Sequence, residues 1–326
     1  MKIGRVEYRG ETFYVQAIED DAKILRIDGD IFGDYKFTAQ ELSCEEVRFL
    51  IPVDYSRRNQ ELVQVYCFGN SFTLLRPEVA ERYIREGKRD KSVNIWQRIF
   101  ARPHKSLTPD GQPIPILPED ENDLLHEPEV VLVVGKEGRD ISQGRALEYI
   151  CGITCGNDIT TKRFFYWSSK GSGSAEGLAE IEASGETYYE SGIIDPWQKI
   201  HDKTTHPDGI PTIVPWLGAK SLYGSIAPWM VLGEDIDYEN LDFDFKVNGE
   251  VRIKSNTHRL KPKTNIPEMI SGLSHIVTLI PGDLIFLGTD FSTAPWPPVQ
   301  VGDVLETCVY DRQKLLVKNC NQFVNP

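Results

Sequence analysis

Three carboxylates stand where they could share one metal ion. Glu127 and Glu129 flank Pro128 at the start of an apolar run, and Asp158 follows a second strand-like run. Residues i and i+2 of a β-strand point to the same face, so the two glutamates project together, and Asp158 can join them from a neighbouring strand. Hard oxygen ligands suit Mg²⁺, Mn²⁺ or Ca²⁺, and three carboxylates leave coordination positions open for water or a chelating substrate. The spacing therefore predicts a divalent-metal site.

The elements that must position these groups are short strands. Residues 1–60 alternate strand-like stretches with acidic turns, which predicts a small β-rich N-terminal domain. From 61 to 326, apolar runs such as 130–134 are separated by Pro, Gly and Asp turns, and helices are predicted over 76–86 and 142–149. The pattern predicts a β-rich α+β fold, with the main domain in 61–326.

Composition limits the partners that we expect. The chain has 326 residues, 40% of them hydrophobic, and a formal net charge of −13. We find no long Lys/Arg-rich stripe, so neither nucleic acid nor a membrane surface is an expected partner. The N-terminus lacks the apolar segment of a signal peptide, and no apolar run is long enough to span a bilayer, which predicts a cytoplasmic protein.

The metal motif and the blocks around it resemble the fumarylacetoacetate hydrolase superfamily. Each block alone is common turn chemistry, but their order across roughly residues 66 to 320 makes chance agreement improbable. The blocks are Glu127-Pro-Glu129-Val-Val-Leu-Val-Val-Gly, Gly156-Asn157-Asp158-Ile-Thr160, Ala219-Lys220-Ser221, Val247-Asn248-Gly249-Glu250, Ser255-Asn256-Thr257 and Leu279-Ile-Pro281-Gly282-Asp283 through Gly288-Thr289.

The resemblance implies a fold, a cofactor and several site residues. It implies a main domain with a mixed β-roll, a bound Mg²⁺ (or Mn²⁺ or Ca²⁺), a small-molecule 2-oxo acid substrate and a homodimer. Lys220 matches a family lysine that acts beside the metal as proton donor or oxyanion partner. Gly288 and Thr289 match a turn that binds the substrate carboxylate, and Arg102 matches a family lysine near the substrate. Arginine could hold a carboxylate there through a bidentate fork.

Some positions depart from the family pattern. Leu75 stands where hydrolytic members have the histidine that activates water, and Asp290 stands where proline is usual. The Thr-Ala-Arg-Asp tail of the metal motif becomes Thr-Thr-Lys-Arg at 160–163. His104, two residues after Arg102, is the candidate base that could replace the missing histidine.

A long segment separates the metal motif from Lys220. Compact family members need far fewer residues between these points, so an insertion is predicted at about 164–217. Its mixture of aromatic residues, glycine, histidine and proline is compatible with a lid, an oligomer contact or a plain surface elaboration, because long loops in compact domains are often functional.

The function that these observations predict is metal-dependent chemistry on a 2-oxo or β-diketo carboxylic acid through an enolate intermediate. The favoured reaction is hydrolysis of a C–C bond in an acylpyruvate-like substrate. The alternative is a lyase or isomerase on the same scaffold, such as a 2-keto-3-deoxy sugar-acid dehydratase, a decarboxylase or a tautomerase, which needs no activated water. A third hypothesis, a non-catalytic binding protein, predicts loss of the metal ligands, yet all three carboxylates are present.

Overall fold

The computed structural model describes residues 1–19, 21–55, 57–58, 61–69, 71–73, 75–90, 99–121, 124–161, 223–233, 235–290 and 299–326. The predicted insertion at 164–217 and Lys220 lie outside the described residues, so the predictions made for them stay predictions.

Strands account for most of the regular structure in the described residues, which confirms the β-rich fold class. They are β1 (Lys2–Tyr8), β2 (Glu11–Ile18), β3 (Lys23–Gly29), β4 (Tyr35–Ser43), β5 (Arg48–Phe49), β6 (Arg57–Arg58), β7 (Glu61–Leu62), β8 (Val65–Phe68), β9 (Ile99–Arg102), β10 (Thr108–Pro109), β11 (Ile114–Pro115), β12 (Leu124–Val134), β13 (Ile150–Thr161), β14 (Tyr223–Ile226), β15 (Trp229–Leu232), β16 (Asp242–Val247), β17 (Glu250–Asn256), β18 (Leu284–Phe286), β19 (Val304–Asp311) and β20 (Lys314–Val324).

Two α-helices are described, α1 (Pro77–Glu86) and α2 (Ile266–Ile276). Helix α1 confirms the prediction over 76–86, whereas the second predicted helix is instead a 3₁₀ helix, Gln143–Tyr149. Neither α-helix has the length and apolar character that crossing a bilayer requires, nor does any other helix among the described residues. The remaining 3₁₀ helices span Cys44–Glu46, His104–Ser106, Pro118–Asp120, Tyr238–Asn240 and Thr257–Leu260.

The described strands form two main sheets. A mixed sheet of thirteen strands follows the path β4-β3-β2-β1-β15-β13-β12-β18-β8-β9, with β14 paired to β13 and β10, and β5 paired to β1. A five-stranded sheet follows the order β11-β20-β19-β16-β17, and β6 pairs with β7. The N-terminal strands belong to the large sheet because β1 pairs antiparallel with β15, with Ile3 opposite Met230.

Strand β12 lies at the centre of the molecule and is covered on both faces. Val130 and Leu132 pack in one apolar cluster together with residues of the five-stranded sheet, whereas Val131 and Val133 pack in a second cluster on the opposite face. This two-sided burial explains why the run 130–134 is continuously apolar and does not alternate. The carboxylates Glu127 and Glu129 precede this run on the same strand.

The Asn-Gly pair of the block Val247-Asn248-Gly249-Glu250 forms a tight hairpin between β16 and β17. Val247 pairs with Glu250, and both intervening residues have positive φ, 53° at Asn248 and 80° at Gly249. Asn-Gly is the dipeptide that tolerates this conformation best, so the motif acts as a turn and directs β17 back along β16. This hairpin leads through β17 to the segment that contains Thr257 and Arg259.

Candidate metal centre

Strand pairing brings the three predicted ligands together. Glu127 on β12 lies opposite Asp158 on β13, and Glu129 lies opposite Gly156. Directly opposed residues of an antiparallel pair point to the same face, so the three carboxyl groups converge. One ligand oxygen from each lies within 4.8 Å of the others, and all three residues are at most 2% exposed.

The close approach of the strands depends on a glycine opposite Glu129. A Cβ atom on Gly156 would lie 2.6 Å from the Ser225 carbonyl oxygen and 2.8 Å from the ring of Phe286. Any larger residue would therefore push the neighbouring strands apart. The intervening residues Pro128 and Asn157, which are paired across the strands, point to the other face of the sheet.

Arg102 reaches the carboxylate cluster from β9. Its Nη1 lies 3.0 Å from Oδ1 of Asp158, its Nε donates to Ser106 Oγ at 2.9 Å, and its Nη2 donates to the Tyr223 carbonyl oxygen. Space for the guanidinium exists because residue 224 is glycine, where a Cβ would lie 2.7 Å from Arg102 Cζ. Arg102 therefore binds a predicted metal ligand, while its predicted contact with substrate stays a prediction.

The donor set fits a divalent cation. Asp158 makes an ion pair with Arg102, but neither of its carboxylate oxygens has a hydrogen-bond partner among the described residues. Arg102 offsets the charge of Asp158, and a divalent cation held by all three carboxylates would offset buried negative charge further. Carboxylate oxygens are the ligands that Mg²⁺, Mn²⁺ and Ca²⁺ prefer. Glu127, Glu129 and Asp158 are thus the residues that could hold such an ion.

The turn after β18 lies against this cluster. The Gly288 amide donates to Oε2 of Glu129 at 2.5 Å, and the Ser71 hydroxyl donates to the Leu287 carbonyl oxygen. Gly288 has φ of +86°, and a Cβ there would lie 2.6 Å from the Phe68 carbonyl oxygen, so only glycine fits. Thr289 follows, buried, with no hydrogen-bond partner for Oγ1 among the described residues. An unpaired buried hydroxyl is a group that a ligand could satisfy.

Models of known families match nearly the whole chain. The model described as "Fumarylacetoacetate (FAA) hydrolase C-terminal" matches residues 64–323, and the model "Rv2993c-like, N-terminal" matches residues 1–52. The chain belongs to the fumarylacetoacetate hydrolase family.

Relatives within the family differ in the reaction for which they are named. The chain is 30% identical over 197 residues to the mitochondrial oxaloacetate tautomerase of Arabidopsis thaliana, covering 60% of this chain and 70% of that protein. It is 25% identical over 250 residues to the maleylpyruvate hydrolase of Aquipseudomonas alcaligenes, covering 76% of this chain and 64% of that protein. The fold is similar to that of a Sphingobium maleylpyruvate hydrolase solved with manganese(II) and pyruvate, with TM-score 0.61, 18% identity and coverage of 100% and 99%.

Leu75, which the family resemblance places at the histidine position, lies in an apolar environment. Its side chain is 0% exposed and packs with Val79, Ala80 and Tyr83, which all lie on helix α1. Its backbone amide donates to Thr73 Oγ1 at 3.2 Å, and its carbonyl oxygen accepts from Arg259 Nη2 at 3.2 Å. A buried leucine cannot take a proton, so position 75 provides no base to activate water in this family member.

The predicted base His104 packs against the N-terminal part of the chain. Its ring is stacked on the ring of Tyr55, with centroids 4.4 Å apart and an angle of 18° between the planes. Burial, together with the nearby Lys105, lowers the pKa of His104. Imidazole is therefore neutral at neutral pH, which is the form that a general base requires. The catalytic role of His104 stays a prediction.

Sequence reasoning missed three residues that the structure places around the site. Gly224 gives the Arg102 guanidinium its space, Tyr55 supports His104, and Arg259 binds both the segment at Leu75 and the residue after Thr289. No sequence signal marks Tyr55 or Gly224, because their contacts depend on strand pairing between distant segments. Asp290 was visible as a departure from the family pattern, but no sequence signal pairs it with Arg259.

Proposed function

We propose that this protein is a divalent-metal-dependent enzyme that acts on a 2-oxo carboxylic acid. The observation that carries this proposal is the group of three buried carboxylates, Glu127, Glu129 and Asp158, whose oxygens lie within 4.8 Å of one another. Burying three like charges is costly unless a cation compensates them, so a fold that keeps them is expected to bind one. The manganese(II) and pyruvate in the similar Sphingobium structure support the same choice of ion class and substrate class.

A bound divalent ion would supply Lewis-acid polarisation of the 2-oxo group, which stabilises an enolate. The residues of this chain would orient the substrate, position the metal ligands and transfer the proton. Thr289 Oγ1, which has no hydrogen-bond partner among the described residues, would with the adjacent turn orient the substrate carboxylate beside Glu129. The Gly288 amide holds Glu129 in place. Arg102 fixes the Asp158 carboxylate. Lys220, as predicted from the family resemblance, would move the proton to or from the enolate.

The reaction that the geometry supports best is proton transfer or decarboxylation through the enolate, as in a tautomerase, isomerase or decarboxylase. Hydrolysis was the favoured reaction from sequence, but it requires a base to activate water. Leu75 is fully buried among apolar side chains, which leaves the family position for that base without a titratable group. The similarity to an oxaloacetate tautomerase supports this choice.

Hydrolysis of a C–C bond is the second candidate, and one observation favours it. His104 has a lowered pKa and lies two residues from Arg102, which binds the Asp158 carboxylate. A neutral imidazole there could activate water in place of the missing histidine. The similarity to a maleylpyruvate hydrolase is consistent with this reaction.

A turnover experiment separates the two reactions. Protein loaded with Mn²⁺ is given oxaloacetate or an acylpyruvate in H₂¹⁸O, and the enol-to-keto conversion, CO₂ release and product masses are recorded. Tautomerisation or CO₂ release without ¹⁸O in a product carboxylate supports the first candidate. Cleavage with ¹⁸O in a product carboxylate supports hydrolysis, and then His104→Gln should abolish it. Activity that persists in Glu129→Gln contradicts the metal site for both.

We also propose that the protein forms a homodimer, as the family resemblance implies. Strand β4 ends the large sheet and has two exposed aromatic side chains, Tyr35 and Phe37, in an edge-to-face pair with centroids 5.8 Å apart. Exposed edge strands with apolar side chains favour pairing. Light scattering coupled to gel filtration would give the mass, and a monomer at micromolar concentration would contradict the proposal.

A further inference from the structure

Asp290 and Arg259 form a buried ion pair next to the proposed substrate turn. Arg259 Nε lies 2.6 Å from Oδ2 of Asp290, and the same oxygen accepts from Ser255 Oγ at 2.6 Å. The Asp290 side chain is 0% exposed and that of Arg259 is 12% exposed. A carboxylate buried to this degree needs compensation, which the guanidinium provides.

Arg259 also binds the segment that contains Leu75. Its Nη2 donates to the carbonyl oxygens of Leu75 at 3.2 Å and Thr73 at 3.5 Å, and its own carbonyl oxygen accepts from the Thr73 amide at 3.2 Å. Arg259 therefore joins two of the positions that depart from the family pattern, 75 and 290. Neither the leucine nor the aspartate alone accounts for both sets of contacts that Arg259 makes.

The ion pair lies close to the groups that would bind substrate. Asp290 directly follows Thr289, whose hydroxyl has no partner among the described residues, and Gly288 donates to the predicted ligand Glu129. A carboxylate at position 290 thus places a negative charge beside the proposed site of a substrate carboxylate. At short range in a buried environment, repulsion between two carboxylates is strong.

We infer that Arg259 is a positioning and specificity-determining residue, which neutralises Asp290 so that the turn at Thr289 can accept an anionic substrate. The inference rests on the proposed function, because it assumes that a substrate carboxylate binds at this turn. In this inference, the balance between the charges of Arg259 and Asp290 sets the affinity of the turn for anions. Removing the arginine should weaken anion binding, whereas removing the aspartate should strengthen it.

The opposite signs of these effects separate a charge role from a purely structural one. The probes are oxalate, a dianionic chelator that resembles a 2-oxo acid, and acetohydroxamate, which binds a metal as a monoanion and lacks a second carboxylate. Binding to Mn²⁺-loaded protein is measured by calorimetry for wild type, Arg259→Met, Asp290→Asn and the double variant. We expect Arg259→Met to bind oxalate about tenfold more weakly and Asp290→Asn to bind it severalfold more tightly. The double variant should return to near wild-type affinity.

The controls separate failure of this inference from failure of the proposed function. Acetohydroxamate affinity should change by less than about twofold in every variant, because no second charge is involved. Weaker oxalate binding by both single variants, or unchanged binding by Asp290→Asn, would overturn the charge role. If Arg259→Met does not fold, the sign measured for Asp290→Asn alone decides. Wild-type protein that binds Mn²⁺ but neither chelator would instead contradict the proposed function.

Discussion

Glu127 lies directly opposite Asp158 in the antiparallel pair of β12 and β13. This register places two carboxylates from distant parts of the chain on one face, and the i+2 spacing adds Glu129 to the same face. A shift of one residue would turn Asp158 to the opposite face and replace it with Asn157 or Ile159. The pairing of these strands therefore determines whether the three carboxylates form a site.

Replacing one carboxylate should remove metal binding without unfolding the protein. In Glu129→Gln and Asp158→Asn, the affinity for Mn²⁺ should fall about 100-fold or more, because an anionic ligand is lost. Calorimetric titration with Mn²⁺ measures this. The matched control is Glu250→Gln at the exposed start of β17, which should bind Mn²⁺ like wild type.

The variant Glu129→Gln should be more stable than wild type when metal is absent. Buried like charges repel one another, so neutralising one of them lowers the cost of the metal-free state. Thermal unfolding in EDTA should show a higher midpoint for Glu129→Gln than for wild type. Added Mn²⁺ should also raise the unfolding midpoint of wild type more than that of the variant. An equal rise in both would contradict the metal site.

Adding a methyl group at position 224 should displace Arg102. The new Cβ would lie 2.7 Å from Arg102 Cζ, so the guanidinium must move away from Asp158. We expect Gly224→Ala to lose roughly 1–3 kcal/mol of unfolding free energy and to bind Mn²⁺ differently from wild type. Chemical denaturation and calorimetry measure both. Gly233→Ala, where a Cβ meets nothing within 4 Å, is the matched control and should change neither quantity.

The Thr289 hydroxyl should contribute to substrate binding and little to stability. Thr289→Val keeps the shape but removes the hydroxyl, which has no partner among the described residues. We expect KM for a 2-oxo acid to rise about tenfold, which corresponds to one hydrogen bond to a charged group. The unfolding free energy should stay the same or increase. Thr289→Ser retains the hydroxyl and should keep KM near the wild-type value.

Asp110 should make stability depend on pH. Burial raises the pKa of Asp110 to about 6 from its ordinary value of 3.8. Between these values the folded protein binds more protons than the unfolded chain, so the stabilisation present below about pH 4 is lost as the pH rises through about 6. The shift corresponds to about 3 kcal/mol.

The isosteric variant Asp110→Asn tests this dependence. An amide can still accept the hydrogen bond that the Cys320 amide donates to Oδ1 of Asp110. The variant should therefore be more stable than wild type at pH 8, by up to about 3 kcal/mol, with the difference shrinking towards pH 4. Urea unfolding at several pH values measures it, and a difference independent of pH would contradict the raised pKa.

The sequence alone was sufficient to predict the family, the β-rich fold class and the three carboxylates. These features depend on local patterns: i+2 spacing within a strand, Asn-Gly at a hairpin, and motif blocks in a fixed order. The prediction of a helix over 76–86 was confirmed because Pro77 begins α1 and Gly87, with φ of +62°, ends it. Such signals lie within a few residues of the feature that they specify.

Only the tertiary structure decided which distant groups touch these carboxylates. The contacts of Arg102 with Asp158 and of Arg259 with Asp290 and Leu75 join segments that are far apart along the chain. Side-chain contacts of this kind depend on strand register and on the space left by residues such as Gly224, which no local pattern encodes. The sequence could thus predict three carboxylates as candidate metal ligands, whereas the charge balance around them follows from how the sheets and turns pack.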